Sequence, residues 1–193
     1  MPIEITSPMN PACIAQLHSG DPVLITGILY VARDAAHKRI IETMESGQQL
    51  PFEIAGQTIY YMGPSPARPG RCIGSAGPTT SGRMDAYTLR MLEAGLCCMI
   101  GKGPRSYEVK TAMQRYRAVY CAAPGGAGAL LSKCIRRNDV ISYPELGAEA
   151  LRRIEVELFP AIVINDIYGG DLYKSGPVQF AHATSAPKKI QTG

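Results

Sequence analysis

Apolar and polar positions alternate in long blocks along the chain, and the blocks change period. Residues 23–32 form a near-continuous apolar run broken by Thr26 and Gly27. Its Val, Ile, Leu and Tyr content predicts a buried strand. Residues 33–46 (RDAAHKRIIETMES) have helical composition and stop at Gly47. From Gly63 the pattern breaks into loop, with three prolines and two glycines in the nine residues GPSPARPGR. CIGS at 72–75 reads as a short apolar strand. Residues 75–95 read as loop into helix: Thr79, Thr80 and Ser81 are candidate N-caps, Met84, Tyr87, Leu89, Met91 and Leu92 give a partly periodic apolar face, and Gly95 is a natural stop.

Beyond Gly95, LCCMIG predicts a strand, SYEVKTAMQRYR a helix, AVYCAA a strand and GGAGALLSKCI a Gly-rich turn into a helix. ISYPELGAEALRR is mixed, and residues 154–169 read as two strands or one broken at Pro160. The residues from about Lys174 read as a poorly ordered polar tail. Strands alternating with helices predict a layered α/β domain, and the Gly/Pro-rich middle predicts a sheet that is not simple βαβ. The chain divides into one domain over 1–175 and a tail over 176–193.

Composition narrows the class. The 193 residues are 46% hydrophobic and 19% charged, enough for a real core. A domain of this size buries about 70% of its unfolded surface and needs no metal or disulfide staple. The apolar run is shorter than the roughly 18–20 residues of a membrane span, and MPIEITSPMN lacks the marks of a signal peptide. A net charge of +4, 7% aromatics and no Trp argue against nucleic acid and suit a small anionic ligand. Six cysteines, none in a C-x-x-C pair, predict free thiols in a reducing cytosol and no metal or iron–sulfur site made by this chain alone.

Three segments carry candidate chemistry. Gly77-Pro-Thr-Thr-Ser-Gly82-Arg83-Met84 nearly fits the phosphate-cradling G-x-x-x-x-G-K-[ST] loop. It fails where the chemistry matters: Arg83 replaces the Lys, Met84 replaces the magnesium-binding hydroxyl, and Pro78 removes a backbone N–H. What remains is hydroxyls and N–H groups at a helix start with a cation one turn in, a geometry that suits carboxylates; an ordinary cap with a surface Arg fits as well. Arg33-Asp34-Ala-Ala-His37 lies where a strand hands over to a helix, so Arg33 and His37 share a face. The first can grip a carboxylate and the second can shuttle a proton, though a solvated first turn is the plain alternative. Gly101-Lys102-Gly103 ends a strand with a lone charge, and Gly125-Gly126-Ala127-Gly128 opens a helix; a tight turn accounts for either.

Taken together, IGSAGPTTSGRMDAYTLRMLEAGLCCMIGKG and TGILYVARDAAHKR, separated by YYMGPSPARPG, resemble the β component of class I, iron–sulfur-dependent fumarate hydratases and the related L-tartrate dehydratase β subunit. The resemblance covers residues 5–175. It implies a swivelling β/β/α fold like the mobile domain of aconitase, and a cytoplasmic hydro-lyase that interconverts fumarate and (S)-malate in the tricarboxylic acid cycle. It implies a [4Fe–4S] cluster carried by a partner α subunit as Lewis acid, with none bound by this chain. Arg33, Arg83 and Lys102 match the substrate-binding cations, Thr79 the proposed base and His37 a further site residue. The implied partners are the α subunit and a small dicarboxylate, with no nucleic acid and no membrane; a homo-oligomer is compatible with this. L-Tartrate dehydration, or a non-catalytic dicarboxylate-binding module, are the alternatives. A Thr hydroxyl needs cations that favour its alkoxide, or a basic neighbour, before it can act as a base.

Overall fold

Met99 and Tyr120 alternate in their strands with Cys98, Ile100, Val119 and Cys121, and all six are buried. Side chains of a strand point alternately to opposite faces, so such strands must be covered on both sides. The computed structural model, which describes residues 1–181, shows how.

The strands are β1 (Ile3–Ser7), β2 (Pro22–Val31), β3 (Thr58–Tyr60), β4 (Cys98–Gly101), β5 (Val119–Ala122), β6 (Ile135–Ser142) and β7 (Leu151–Asn165). Strands β1 to β5 run parallel in the order β1-β2-β3-β4-β5. The long β7 runs antiparallel to both β5 and β2, which closes β2-β3-β4-β5-β7 into a small barrel. β1 flanks the first half of β2, and β6 flanks the first half of β7.

Two apolar cores follow. One fills the barrel and includes Ile25, Leu29, Tyr60, Ile100, Cys121 and Phe159. The other lies between the outer face of β3, β4 and β5 and three helices, α2 (Asp34–Glu45), α3 (Asp85–Glu93) and α4 (Tyr107–Tyr116). Those helices bury Ala36 and Ile40, Met91 and Leu92, and Val109, Ala112 and Met113, at the spacing of one helical face. Shorter helices are α1 (Pro11–Ile14) and α5 (Gly128–Leu131), and α6 (Leu172–Ala181) ends the described chain.

Gly27 makes the tight junction of β1, β2 and β7 feasible. It has φ of +118°, and a Cβ there would stand 2.2 Å from the carbonyl oxygen of Ser7. The β2–β7 register shifts at this point, and Leu158 takes a left-handed conformation opposite.

Several expectations need correction. Residues 72–75 form no strand, since they have no ladder partner and serve as loop against Ser65. The helix after Thr80 begins with a 3₁₀ turn, Ser81–Met84, with no side-chain cap hydrogen bond from Thr80. Residues 154–165 belong to one strand that passes through Pro160, its irregularity lying at the bulge before it. β1, β3 and β6 were not anticipated. The expected polar tail begins inside α6, and residues 182–193 lie outside the described residues.

Candidate functional site

Parallel strands β2, β3 and β4 deliver their C-terminal ends to one side of the barrel, the place where open α/β sheets receive ligands. Arg33 lies two residues past β2, Gly63 three past β3, and Lys102 directly past β4. The 77–83 loop is stitched between these ends. Met62 pairs with Pro78, and Thr80 pairs with Lys102. The Thr79 N–H donates to the Tyr61 carbonyl at 2.7 Å, and the Lys102 N–H donates to the Thr79 carbonyl at 3.2 Å. The Ser81 N–H returns to the Lys102 carbonyl at 2.8 Å. Gly101 permits this approach, because a Cβ there would fall 2.0 Å from the Ser81 hydroxyl.

The cations converge through their partners. Arg83 meets Asp34 with two contacts, Nε–Oδ1 at 3.1 Å and Nη2–Oδ2 at 2.8 Å. Arg33, next to Asp34, pairs with Glu149 at 3.3 Å, and its guanidinium lies against Gly63, where a Cβ would stand 2.2 Å from Nη1. Its Nε is buried without a partner among the described residues. Glu149 also accepts the Ala35 N–H at 2.9 Å, which ties the 3₁₀ segment Pro144–Glu149 to the start of α2. Lys102 is exposed, and neither its ammonium nor the Thr79 hydroxyl has a side-chain partner among the described residues. The structure thus brings together the segments that carry Arg33, Thr79, Arg83 and Lys102.

His37 sits beneath them. It is fully buried and its Nδ1–H donates to the Arg33 carbonyl at 2.9 Å. Tyr61 meets its ring edge-on at 5.4 Å and Tyr87 stacks at 6.0 Å. Burial pushes its pKa down to about 4, against the pull of the carbonyl bond, so the ring is neutral near pH 7. Its Nε2 has no partner among the described residues.

The thiols do not suit an iron–sulfur cluster. Ligation needs thiolates that converge. Cys98 and Cys121 are sealed in the barrel, and the hydrogen bond between them, with burial, raises the Cys98 thiol well above its ordinary range. Burial pushes Cys97 up to about 12, and its Sγ donates to the carbonyl of Gly56 at 3.0 Å. Among the described residues no group of three or more His, Cys, Asp or Glu side chains could hold a metal ion.

Two other sequence features resolve as structure. Gly128 packs on Ser75 and Gly77, so this one glycine of the 125–128 run supports the base of the 77–83 loop. A separate cleft of about 490 Å³ between the 65–75 loop and α5 is lined by Arg68, Arg71 and Lys133, and by none of the five predicted site residues. Sequence reasoning missed the clamp role of Asp34. It also missed Arg105, which carries no signal of burial in its local pattern, and the bridging role of the Tyr120 hydroxyl.

Comparison with known proteins adds a family context. The family model described as fumarase C-terminus matches residues 1–176. Fumarate hydratase 2 of Leishmania major is 41% identical over 162 residues, which is 83% of this chain and 28% of that protein. The aerobic class I fumarate hydratase of Escherichia coli K12 is 35% identical over 190 residues, 96% of this chain and 34% of its own length. The putative L(+)-tartrate dehydratase subunit beta of Methanocaldococcus jannaschii is 37% identical over 168 residues, 83% of this chain and 86% of that one. The chain therefore spans about a third of the fumarate hydratases it matches and most of the tartrate dehydratase subunit.

Proposed function

The chain belongs to the fumarase C-terminus family, and from that premise we propose that it is the β subunit of a two-subunit hydro-lyase that interconverts (S)-malate and fumarate. We read its barrel and helices as the family's swivelling β/β/α domain. What supports the proposal is that the segments carrying Arg33, Thr79, Arg83 and Lys102 meet at the strand ends, joined by the Thr79–Lys102 backbone bond and by the Arg83–Asp34 pair. A dicarboxylate needs more than one cation, and three are supplied. The site is open, with Lys102 exposed and the Arg83 side chain 52% exposed, which suits closure by a second chain.

In this reading a [4Fe–4S] cluster resides on the α subunit and supplies Lewis acidity at the departing hydroxyl. This chain's residues do the rest. Arg83, steered by Asp34, and Lys102 hold the carboxylates, and Arg33 holds its place through His37 and Gly63. Removal of the C3 proton by the Thr79 oxygen builds negative charge onto the adjacent carboxylate, where the fixed cations are most effective. The same cations favour the alkoxide that Thr79 needs to act as base. His37, buried and neutral, contributes by orienting the Arg33 backbone.

We take the setting to be cytoplasmic, as the family resemblance implies; no described helix is long and apolar enough to cross a membrane. L-Tartrate dehydration is the second reading, favoured by the 37% identity to the M. jannaschii subunit over 83% of this chain. Co-expression with a class I α subunit and anaerobic assay on (S)-malate and L-tartrate decides. Turnover of malate only when both chains are present is expected; preference for tartrate selects the second reading, and turnover of neither rejects both.

A further inference from the structure

Arg105 lies under the site. It is 4% exposed, between β4 and α4. A buried guanidinium is costly to desolvate and persists where geometry makes use of it. Its Nε meets Asp85 Oδ1 at 2.7 Å and its Nη2 donates to Thr88 Oγ1 at 2.6 Å. Its Nη1 reaches the Tyr61 hydroxyl at 3.4 Å, and the guanidinium lies 5.5 Å from the Tyr61 ring centre and 5.2 Å from that of Tyr120.

Three of these partners hold the loops of the site. The Tyr61 carbonyl anchors the Thr79 N–H, and the Tyr61 ring abuts His37, which holds Arg33. The Tyr120 hydroxyl donates to the Gly103 carbonyl at 2.8 Å and so accepts from Ser81 Oγ at 2.9 Å. Those two residues flank Lys102 and Thr80. The Gly103 N–H in turn donates to the Tyr173 hydroxyl of α6 at 3.2 Å. Asp85 opens α3 two residues after Arg83 and takes the Ser106 N–H on its second oxygen at 2.7 Å.

We propose that Arg105 is a positioning residue for the dicarboxylate site: through Tyr61, Tyr120 and Asp85 it fixes the backbone from which Thr79, Arg83 and Lys102 project. A mere staple between α3 and α4 requires only Asp85 and Thr88. The contacts to both tyrosines extend the network into the site, and a planar fork between two rings is a task that lysine does not reproduce. The ligand in this inference rests on the hydro-lyase reading; the geometry does not.

The test compares Arg105→Lys and Tyr120→Phe with Ser19→Ala, which removes a hydroxyl-to-carbonyl bond of the same kind at Ile164, outside this network. Backbone amide exchange is measured on the full chain, and kcat and KM for (S)-malate on the pair assembled with an α subunit. Tyr120→Phe keeps the core filled and folds even if Arg105→Lys does not. Exchange at residues 79–83 and 101–103 is expected to rise about tenfold or more in Tyr120→Phe, which removes the hydroxyl's two hydrogen bonds, and by about tenfold or more in Arg105→Lys. KM should rise by similar factors with a fall in kcat, whereas a staple alone would lower the active fraction and leave KM unchanged. Exchange at these amides equal to that in Ser19→Ala, or an unchanged KM in an active pair, overturns the inference. An unmutated pair that turns over neither malate nor tartrate rejects the hydro-lyase reading instead, and amide exchange then decides the role of Arg105 by itself.

Discussion

Arg83 and Asp34 meet in a two-point contact across the site, at 3.1 and 2.8 Å, although 49 residues separate them. The carboxylate belongs to the first turn of α2 and the guanidinium to the 3₁₀ turn ahead of α3. One pair therefore fixes the spacing of the two segments that carry Arg33 and Thr79.

Because the Arg83 side chain is 52% exposed, the pair contributes little to stability, about 0–1 kcal/mol. Its effect should appear in function. Arg83→Ala and Arg33→Ala should each fold and assemble while lowering malate turnover by about 10²–10³, the usual loss for a preorganised charged donor. Lys102→Ala should act in the same direction. Asp34→Asn should raise KM with a smaller effect, since it frees Arg83 without removing it. Steady-state kinetics on assembled, cluster-loaded pairs checks this; near-full activity in either arginine variant removes that residue from the binding role.

His37 predicts a pH dependence with a definite sign. Its folded pKa, about 4, lies below the ordinary 6.5. Between those values the unfolded chain takes up a proton that the folded chain refuses, so stability falls as pH falls through this window. The contribution is complete above about pH 6.5 and lost toward pH 4, up to roughly 3 kcal/mol. Melting temperatures from pH 4 to 7 should fall less steeply for His37→Phe, which keeps an aromatic ring and cannot titrate. Equal slopes in the two proteins would mean that His37 is not held neutral by the fold.

The isolated chain, reconstituted anaerobically with iron and sulfide, should show no stable [4Fe–4S] absorption, since Cys98 and Cys121 are buried in the core, Cys97 donates to a backbone carbonyl, and no three potential ligands converge among the described residues. A stoichiometric cluster on this chain alone would undo the division of labour between subunits.

The legible parts of the fold were those with a single strong period. The 23–32 run and the helix after it stand as β2 and α2. β1, with only five residues and polar Glu4 and Thr6 facing out, shows too little apolar character to be read without its neighbour. CIGS has strand composition but finds no ladder, which only the tertiary fold decides. At the site, Arg33, His37, Thr79, Arg83 and Lys102 were nameable from motifs and resemblance. Their mutual placement was not, because it depends on pairings such as Thr80 with Lys102 and on the burial of Arg105, neither of which leaves a local pattern.

Thr79 is the centre of the account. Its backbone is locked by Tyr61 and Lys102, while its hydroxyl has no partner among the described residues, so Thr79→Val should leave the melting temperature nearly unchanged. Thr80, its neighbour, is exposed and makes no side-chain cap, and Thr80→Val is the control. The decisive measurement is exchange of the malate C3 proton with solvent deuterium in the pair assembled with an α subunit. The account predicts that Thr79→Val still binds malate and loses this exchange by about 10²–10⁴-fold, while Thr80→Val retains it. Full exchange in assembled Thr79→Val would contradict the assignment of proton transfer to this chain.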